Sequence, residues 1–187
     1  MSDRVAPASI LRRPVVLVGM MGSGKTAVGT AVAARLGVPF RDTDAAIVEA
    51  SRMSIPDIFA RDGEAFFRAR ETEVLTRLLT AEPAIVSTGG GAFLSPCNRA
   101  IVARHGVSVW LRADVDLLWS RVRGKTTRPL LMTDDPRATL ASLTAARSPS
   151  YAQAALIVDA HPDYAVGDMA DRVVAALRDA DHLGDVR

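Results

Sequence analysis

The sequence predicts an α/β fold in three layers, with helices on both faces of a parallel sheet. Three observations predict it. Short apolar, β-branched runs alternate along the chain with stretches of helical spacing. The first run, residues 14–18, is apolar at every position, as in a strand buried on both faces. It leads directly into a glycine-rich turn and then a helix, the order of a phosphate-binding loop.

Each element has its own signal. Residues 14–18 form the first strand, ending in Gly19. Lys25 to Leu36 follows with Val28, Val32 and Leu36 on one face, closed by Gly37. Residues 39–42 make a weaker second strand. Ser54-Ile-Pro-Asp57 is a helix start, with Ser as cap and an acid in the first turn. Gly63 to Thr80 is a longer amphipathic helix carrying Phe67, Val74, Leu75 and Leu78. The third strand, residues 84–88, runs into Gly89-Gly90-Gly91. Ser95-Pro96 opens a helix that ends before Gly106. Residues 107–111 are the fourth strand, and Asp114 caps the next helix. Residues 123–136 are basic and punctuated by Gly and Pro, which reads as a mobile lid. Asp135-Pro136 opens a helix to about Arg147. Residues 155–159 are a fifth, edge strand, and Val166 to Leu177 the last helix. Strands joined by helices imply right-handed parallel crossovers.

A chain of 187 residues suits one domain with a substantial core, and no linker divides it. Residues 1–13 read as a frayed leader. Apolar residues make up 49% and charged residues 24%, ordinary globular usage that excludes disorder as the main state. A net charge of +2 does not suit a strong nucleic-acid binder. The single cysteine, Cys97, forms no internal disulfide, which agrees with a reducing cytoplasm. No apolar run approaches a membrane span, and the first 13 residues lack a secretory signal's apolar core.

Gly19-Met-Met-Gly22-Ser23-Gly24-Lys25-Thr26 matches the nucleoside-triphosphate loop G-x-x-x-x-G-K-[ST] at every position. Glycines let successive N–H groups turn inward around an anion, and the following helix adds its positive end. Lys25 is placed to bridge the β and γ phosphates, and the Thr26 hydroxyl to ligate Mg²⁺. The cradle does not name the acceptor. The chain has only two lysines, Lys25 and Lys125, and lacks the guanine-reading N-K-x-D of a GTPase.

Further features lie beyond the loop. Asp42-Thr43-Asp44 sets two carboxylates two residues apart after the second strand, on one side if the segment is extended. The helix from Gly63 carries Arg68 beside Phe67, with Glu71 one turn on. Gly89-Gly90-Gly91 permits close approach of backbone to a ligand. Arg128-Pro-Leu-Leu131 lies in the basic lid segment. Together with Ser54-Ile-Pro-Asp-Ile-Phe59, and with Arg147 before Tyr151, these motifs resemble the shikimate kinases in order from Val15 to Tyr151.

The resemblance implies a nucleoside-monophosphate-kinase type of fold with a central five-stranded parallel sheet. It implies transfer from ATP to shikimate, giving ADP and 3-phosphoshikimate on the way to chorismate and the aromatic amino acids. Lys25, Asp44 and Arg128 are then the catalytic set. ATP falls to Gly22, Ser23, Gly24, Lys25, Thr26, Ala27, Arg121 and Arg128, with Arg121 stacked on adenine. Shikimate falls to Asp44, Arg68, Gly89, Gly90, Gly91 and Arg147, the two arginines holding its carboxylate. Thr26 and Asp42 fall to Mg²⁺, Asp42 through water, although Asp42 also reads as a helix cap. Glu71 orients Arg68. Phe59 and Phe67 are core residues that also suit a substrate wall. No adenine contact is carried to residues 160–163. A monomer that binds neither nucleic acid nor membrane is expected. A gluconate-type kinase on the same fold, and a nucleotide-binding module without turnover, remain as alternatives.

Overall fold

A computed structural model describes residues 10–124 and 129–184. In chain order the elements are β1 (Ile10–Leu11), β2 (Val15–Val18), α1 (Lys25–Leu36), β3 (Phe40–Asp42), α2 (Thr43–Ser51), α3 (Ile55–Leu79) and β4 (Ile85–Ser87). A short 3₁₀ turn (Ala92–Leu94) precedes α4 (Pro96–His105), β5 (Val107–Arg112) and α5 (Val115–Val122). A second 3₁₀ turn (Pro129–Leu131) precedes α6 (Pro136–Tyr151), β6 (Leu156–Asp159), α7 (Val166–Asp179) and β7 (Leu183–Gly184).

Five strands form the parallel sheet in the order β3-β4-β2-β5-β6, with β2 at the centre and β6 at an edge. All four residues of β2 are buried. Val16 and Val18 enter one apolar cluster with Phe67, Leu75, Trp110 and Tyr151. Val15 and Leu17 enter the other, with α1 and α7. Period-two alternation on a centre strand thus feeds two cores, so the strand must be apolar throughout.

The register fixes the level of the strand ends. Leu17 pairs with Ser87, and Ser87 with Asp42. The turns after β2, β3 and β4 therefore leave the sheet side by side at its carboxyl edge, where open α/β sheets bind ligands.

Two expectations are adjusted and one is met. The segment Asp42-Thr43-Asp44 is not extended: Asp42 ends β3 and caps α2, its Oδ1 accepting from the N–H groups of Asp44 and Ala45 at 3.0 and 3.1 Å. The cap satisfies helix-start donors, so α2 begins at once. The helix start expected at Ser54 and the helix expected from Gly63 are both present: within the span Ile55–Leu79 two helical stretches meet at Gly63, whose φ of 82° and ψ of 174° are not helical. Helix α6 runs past Arg147 and through Pro149 to Tyr151. Proline there costs one backbone hydrogen bond, which buried Tyr151 offsets by packing against Trp110 at 5.9 Å between ring centroids.

The leader is not frayed throughout. Ile10–Leu11 pairs antiparallel with Leu183–Gly184, and Arg12 donates to the Asp181 carboxylate at 3.0 Å.

Candidate active site

The cradle is built where β2 turns into α1. Gly24 caps α1 in the left-handed region at φ 92°, with no side-chain cap and no acid in the first turn. The helix thus offers bare N–H groups to the cavity, as an anion site requires. Gly22 packs against α5 so closely that a Cβ would come within 2.8 Å of Val122. Lys25 Nζ donates to the Gly19 and Met20 carbonyls at 2.8 and 3.0 Å, across the loop. Ser23 is buried, and its N–H closes the loop onto the Met20 carbonyl. Thr26 and Ala27 are exposed on the first turn of α1.

A cavity of about 530 Å³ opens over this loop. Lys25, Thr26, Asp42, Asp44, Gly90 and Arg121 all reach its wall. Arg121 Nη1 donates to the Gly22 carbonyl at 3.2 Å, tying α5 to the loop. The far wall comes from Tyr164, Val166 and Met169, at the start of α7. The sequence reading assigned nothing there. The only local signal is Tyr164 itself, an aromatic at a helix start, over whose ring Arg172 stacks at 4.0 Å.

A second cavity, of about 210 Å³, adjoins the first through shared Met21 and Gly90. Its other walls are Arg68 from α3, Arg147 from α6, Gly91, Pro129 and Leu130. Arg68 Nη1 donates to Glu71 at 3.0 Å, and its other nitrogens reach Glu64 at 3.3 and 3.4 Å. Glu71 is 1% exposed, so the expectation that it orients Arg68 holds. Phe67 is buried in the core while Phe59 is partly exposed against it, ring centroids 4.6 Å apart.

The three glycines each face a different charged side chain. A Cβ on Gly89 would lie 2.9 Å from Asp44 Oδ1. One on Gly90 would lie 3.2 Å from Arg147 Nη1, and one on Gly91 2.7 Å from Arg68 Nη1. Side chains from α2, α6 and α3 therefore converge on one turn because that turn has none of its own. Burial raises the Asp44 pKa above its ordinary value, helped by Asp42 and opposed by Lys25 and Arg68. Burial also raises Glu71, against the pull of Arg68.

The structure thus brings together the residues expected from the sequence, Arg128 excepted, which lies outside the described residues. The arrangement presents an anion cradle, two oxygen donors at Thr26 and Asp42, the Asp44 carboxylate on the wall of the same cavity, and beside it a small pocket with two guanidinium groups.

Comparisons with known proteins agree with this geometry. The family model "Shikimate kinase" matches residues 21–178. The shikimate kinase of Ruegeria pomeroyi is 59% identical over 170 residues, 91% of this chain and 87% of that protein. The enzyme of Cereibacter sphaeroides is 56% identical over 167 residues, covering 89% and 83%. Among solved structures, shikimate kinase from Acinetobacter baumannii in complex with shikimate has a TM-score of 0.83 at 34% identity, covering 90% of this chain and 94% of its own. A gluconokinase from Sinorhizobium meliloti has a TM-score of 0.54 at 19% identity, a likeness of fold alone.

Proposed function

This chain belongs to the shikimate kinase family, and we infer that it transfers the γ-phosphoryl group of ATP to the 3-hydroxyl of shikimate, giving ADP and 3-phosphoshikimate for chorismate and aromatic amino-acid synthesis. One observation carries the assignment of residues: Asp44, Arg68 and Arg147 meet on the side-chain-free turn Gly89–Gly91, next to the cradle.

The larger cavity takes ATP, its phosphates on the N–H groups of residues 22–27 and on Lys25. Arg121, Tyr164 and Val166 all line this cavity and are assigned to the adenine. The metal fits the donor set. Among the described residues no group of three or more His, Cys, Asp or Glu could hold an ion unaided. The Thr26 hydroxyl and Asp42 carboxylate are two hard oxygen donors, which phosphate oxygens and water complete in the manner Mg²⁺ favours. Mg²⁺ bound there supplies neutralisation of charge on the β and γ phosphates. Capping does not exclude Asp42 from this task, because the cap uses Oδ1 and leaves Oδ2.

Shikimate occupies the smaller cavity. Arg68 and Arg147 hold its carboxylate, the Gly90 backbone meets its ring, and Asp44 orients the attacked hydroxyl and takes its proton. Its raised pKa strengthens it as a base relative to a free carboxylate. In-line placement and fixed charge do the rest. Arg128, in the lid, is assigned the charge that arrives on closure. We place the enzyme in the cytoplasm as a monomer. Among the described residues no helix is long and apolar enough to cross a membrane.

Calorimetric titration tests the assignment. Arg68→Ala and Arg147→Ala should each weaken shikimate binding by about 2 to 4 kcal/mol, roughly 30- to 1000-fold, and leave nucleotide binding alone. Asp44→Asn should bind both ligands and lose most of kcat. Parental shikimate affinity in both arginine variants would place the acceptor elsewhere. Gluconate turnover in place of shikimate turnover would favour the related kinase.

A further inference from the structure

We propose that Tyr151 is a positioning residue for the acceptor: its one hydroxyl joins the Arg147 guanidinium to the Gly90 carbonyl and holds both at a fixed spacing. The inference rests on the assignment of Arg147 and Gly90 to shikimate above.

Tyr151 is the last residue of α6 and is 0% exposed. Its O–H donates to the Gly90 carbonyl at 2.6 Å. A phenol has one proton, so the Met20 sulfur, 3.8 Å away, is a packing contact beside that bond. Arg147, one helical turn earlier on the same face, stands beside the phenol: a Cβ on Gly90 would lie 3.2 Å from Arg147 Nη1 and 3.7 Å from the Tyr151 hydroxyl. The hydroxyl therefore donates to one wall of the smaller cavity and lies against the guanidinium of the other. A phenylalanine would fill the same space and do neither.

The two arginines of that cavity are oriented by different chemistry. Arg68 has two carboxylates, Glu64 and Glu71. Arg147 has none within salt-bridge distance among the described residues; its orienting partner is the neutral phenol. A carboxylate partner fixes a guanidinium but cancels its charge at a distance. A phenol restricts the side chain and leaves the charge whole for an incoming anion. Arg147 thus brings the uncompensated positive charge, and Tyr151 removes rotamer freedom that shikimate would otherwise have to freeze on binding. The chain tolerates Pro149 in the preceding turn of α6, and the helix continues to deliver Tyr151 to this place.

A purely structural role would lower stability and affect both substrates alike. A positioning role predicts a split. Tyr151→Phe keeps the ring on Trp110. It should raise KM for shikimate about tenfold, with kcat and nucleotide affinity each within about twofold of the parent. In an Arg147→Ala background the same change should add less than about twofold, because its target is gone. The two tyrosines, Tyr151 and Tyr164, also permit a test without mutation of the acceptor pocket. In enzyme labelled with 3-fluorotyrosine, the Tyr151 fluorine signal, assigned against Tyr164→Phe, should move with shikimate alone and stay with ADP alone.

A parental shikimate KM in Tyr151→Phe overturns the proposal, as does a full additive loss in the Arg147→Ala background. If Tyr151→Phe does not fold, a fluorine signal indifferent to shikimate overturns it equally. Undiminished shikimate binding in Arg147→Ala alone would instead remove the carboxylate assignment on which the proposal stands.

Discussion

At the scale of single residues, the site is organised by what is missing as much as by what is present. Gly91 leaves room for Arg68, and a methyl there would lie 2.7 Å from Nη1. The guanidinium is the end of a long side chain, so Gly91→Ala should displace it and leave the fold standing. We expect shikimate KM to rise about tenfold or more, with the melting temperature nearly unchanged, by steady-state kinetics and a thermal melt. Glu71 supports a second expectation. Its pKa is raised above the ordinary 4.5, chiefly by burial, and Arg68 only partly offsets this. A raised carboxyl value means that the folded chain holds a proton the unfolded chain has already released. Stability from this group is thus full below pH 4.5 and is lost as pH rises through the folded value. Ionised Glu71 is therefore a cost at neutral pH. Glu71→Gln, which still accepts from Arg68, should melt higher than the parent at pH 7 to 8, and the gap should close toward pH 4 to 5. A gap that widens on acidification would reverse the sign. The pairing of Glu71 with Arg68 was legible, because Glu71 follows it by three helical positions. The neutral partner of Arg147 was not, because Tyr151 reaches it only where α6 continues past a proline.

At the scale of elements, the kink in α3 separates two jobs. Residues before Gly63 bury Ile58 in the core, and residues after it carry Arg68 and Glu71 toward the glycine turn. The kink angles, φ 82° and ψ 174°, are open to glycine alone, and nothing lies within 4 Å of where a Cβ would sit. The cost of a side chain there is thus backbone strain without a clash. Gly63→Ala should destabilise by about 1 to 3 kcal/mol, read as a lowered urea midpoint with unchanged slope. A stabilised Gly63→Ala protein would mean that the kink relaxes freely into a straight helix. From the sequence, the two halves looked like separate helices, since Ser54 and Gly63 both carry boundary signals. In the structure they follow one another without a loop, the non-helical Gly63 alone standing between them.

At the scale of the whole molecule, the two ends of the described chain meet away from the site. Leu11 and Leu183 are both buried in the α1/α7 core, and Arg12 bridges to Asp181. Both partners of that ion pair are largely exposed, so the pair itself adds little. Burial of Leu11 adds about 1.5 to 3 kcal/mol. Removing residues 1–11 should therefore lower the melting temperature by several degrees, at about 2 to 4 °C per kcal/mol for a chain of this size. Activity should stay within about twofold of the parent, because the clasp holds the sheet's opposite end. A truncated protein with intact stability would show that β1 and β7 contribute nothing to the core.

The linear order of residues was enough for the phosphate loop, the five strands, the helix caps at Ser54, Ser95, Asp114 and Asp135, and the family's reaction. These are local signals. A cap lies within four residues of the helix it starts, and a glycine loop is read within eight positions. The pairing of ends at β1 and β7, the wall at Tyr164 and Val166, and the meeting of Asp44, Arg147 and Arg68 on three successive glycines were decided only in three dimensions. Each joins segments far apart in the chain. Their distance is set by sheet order and register, which place the turns after β2, β3 and β4 at one level. No local spacing rule carries that information.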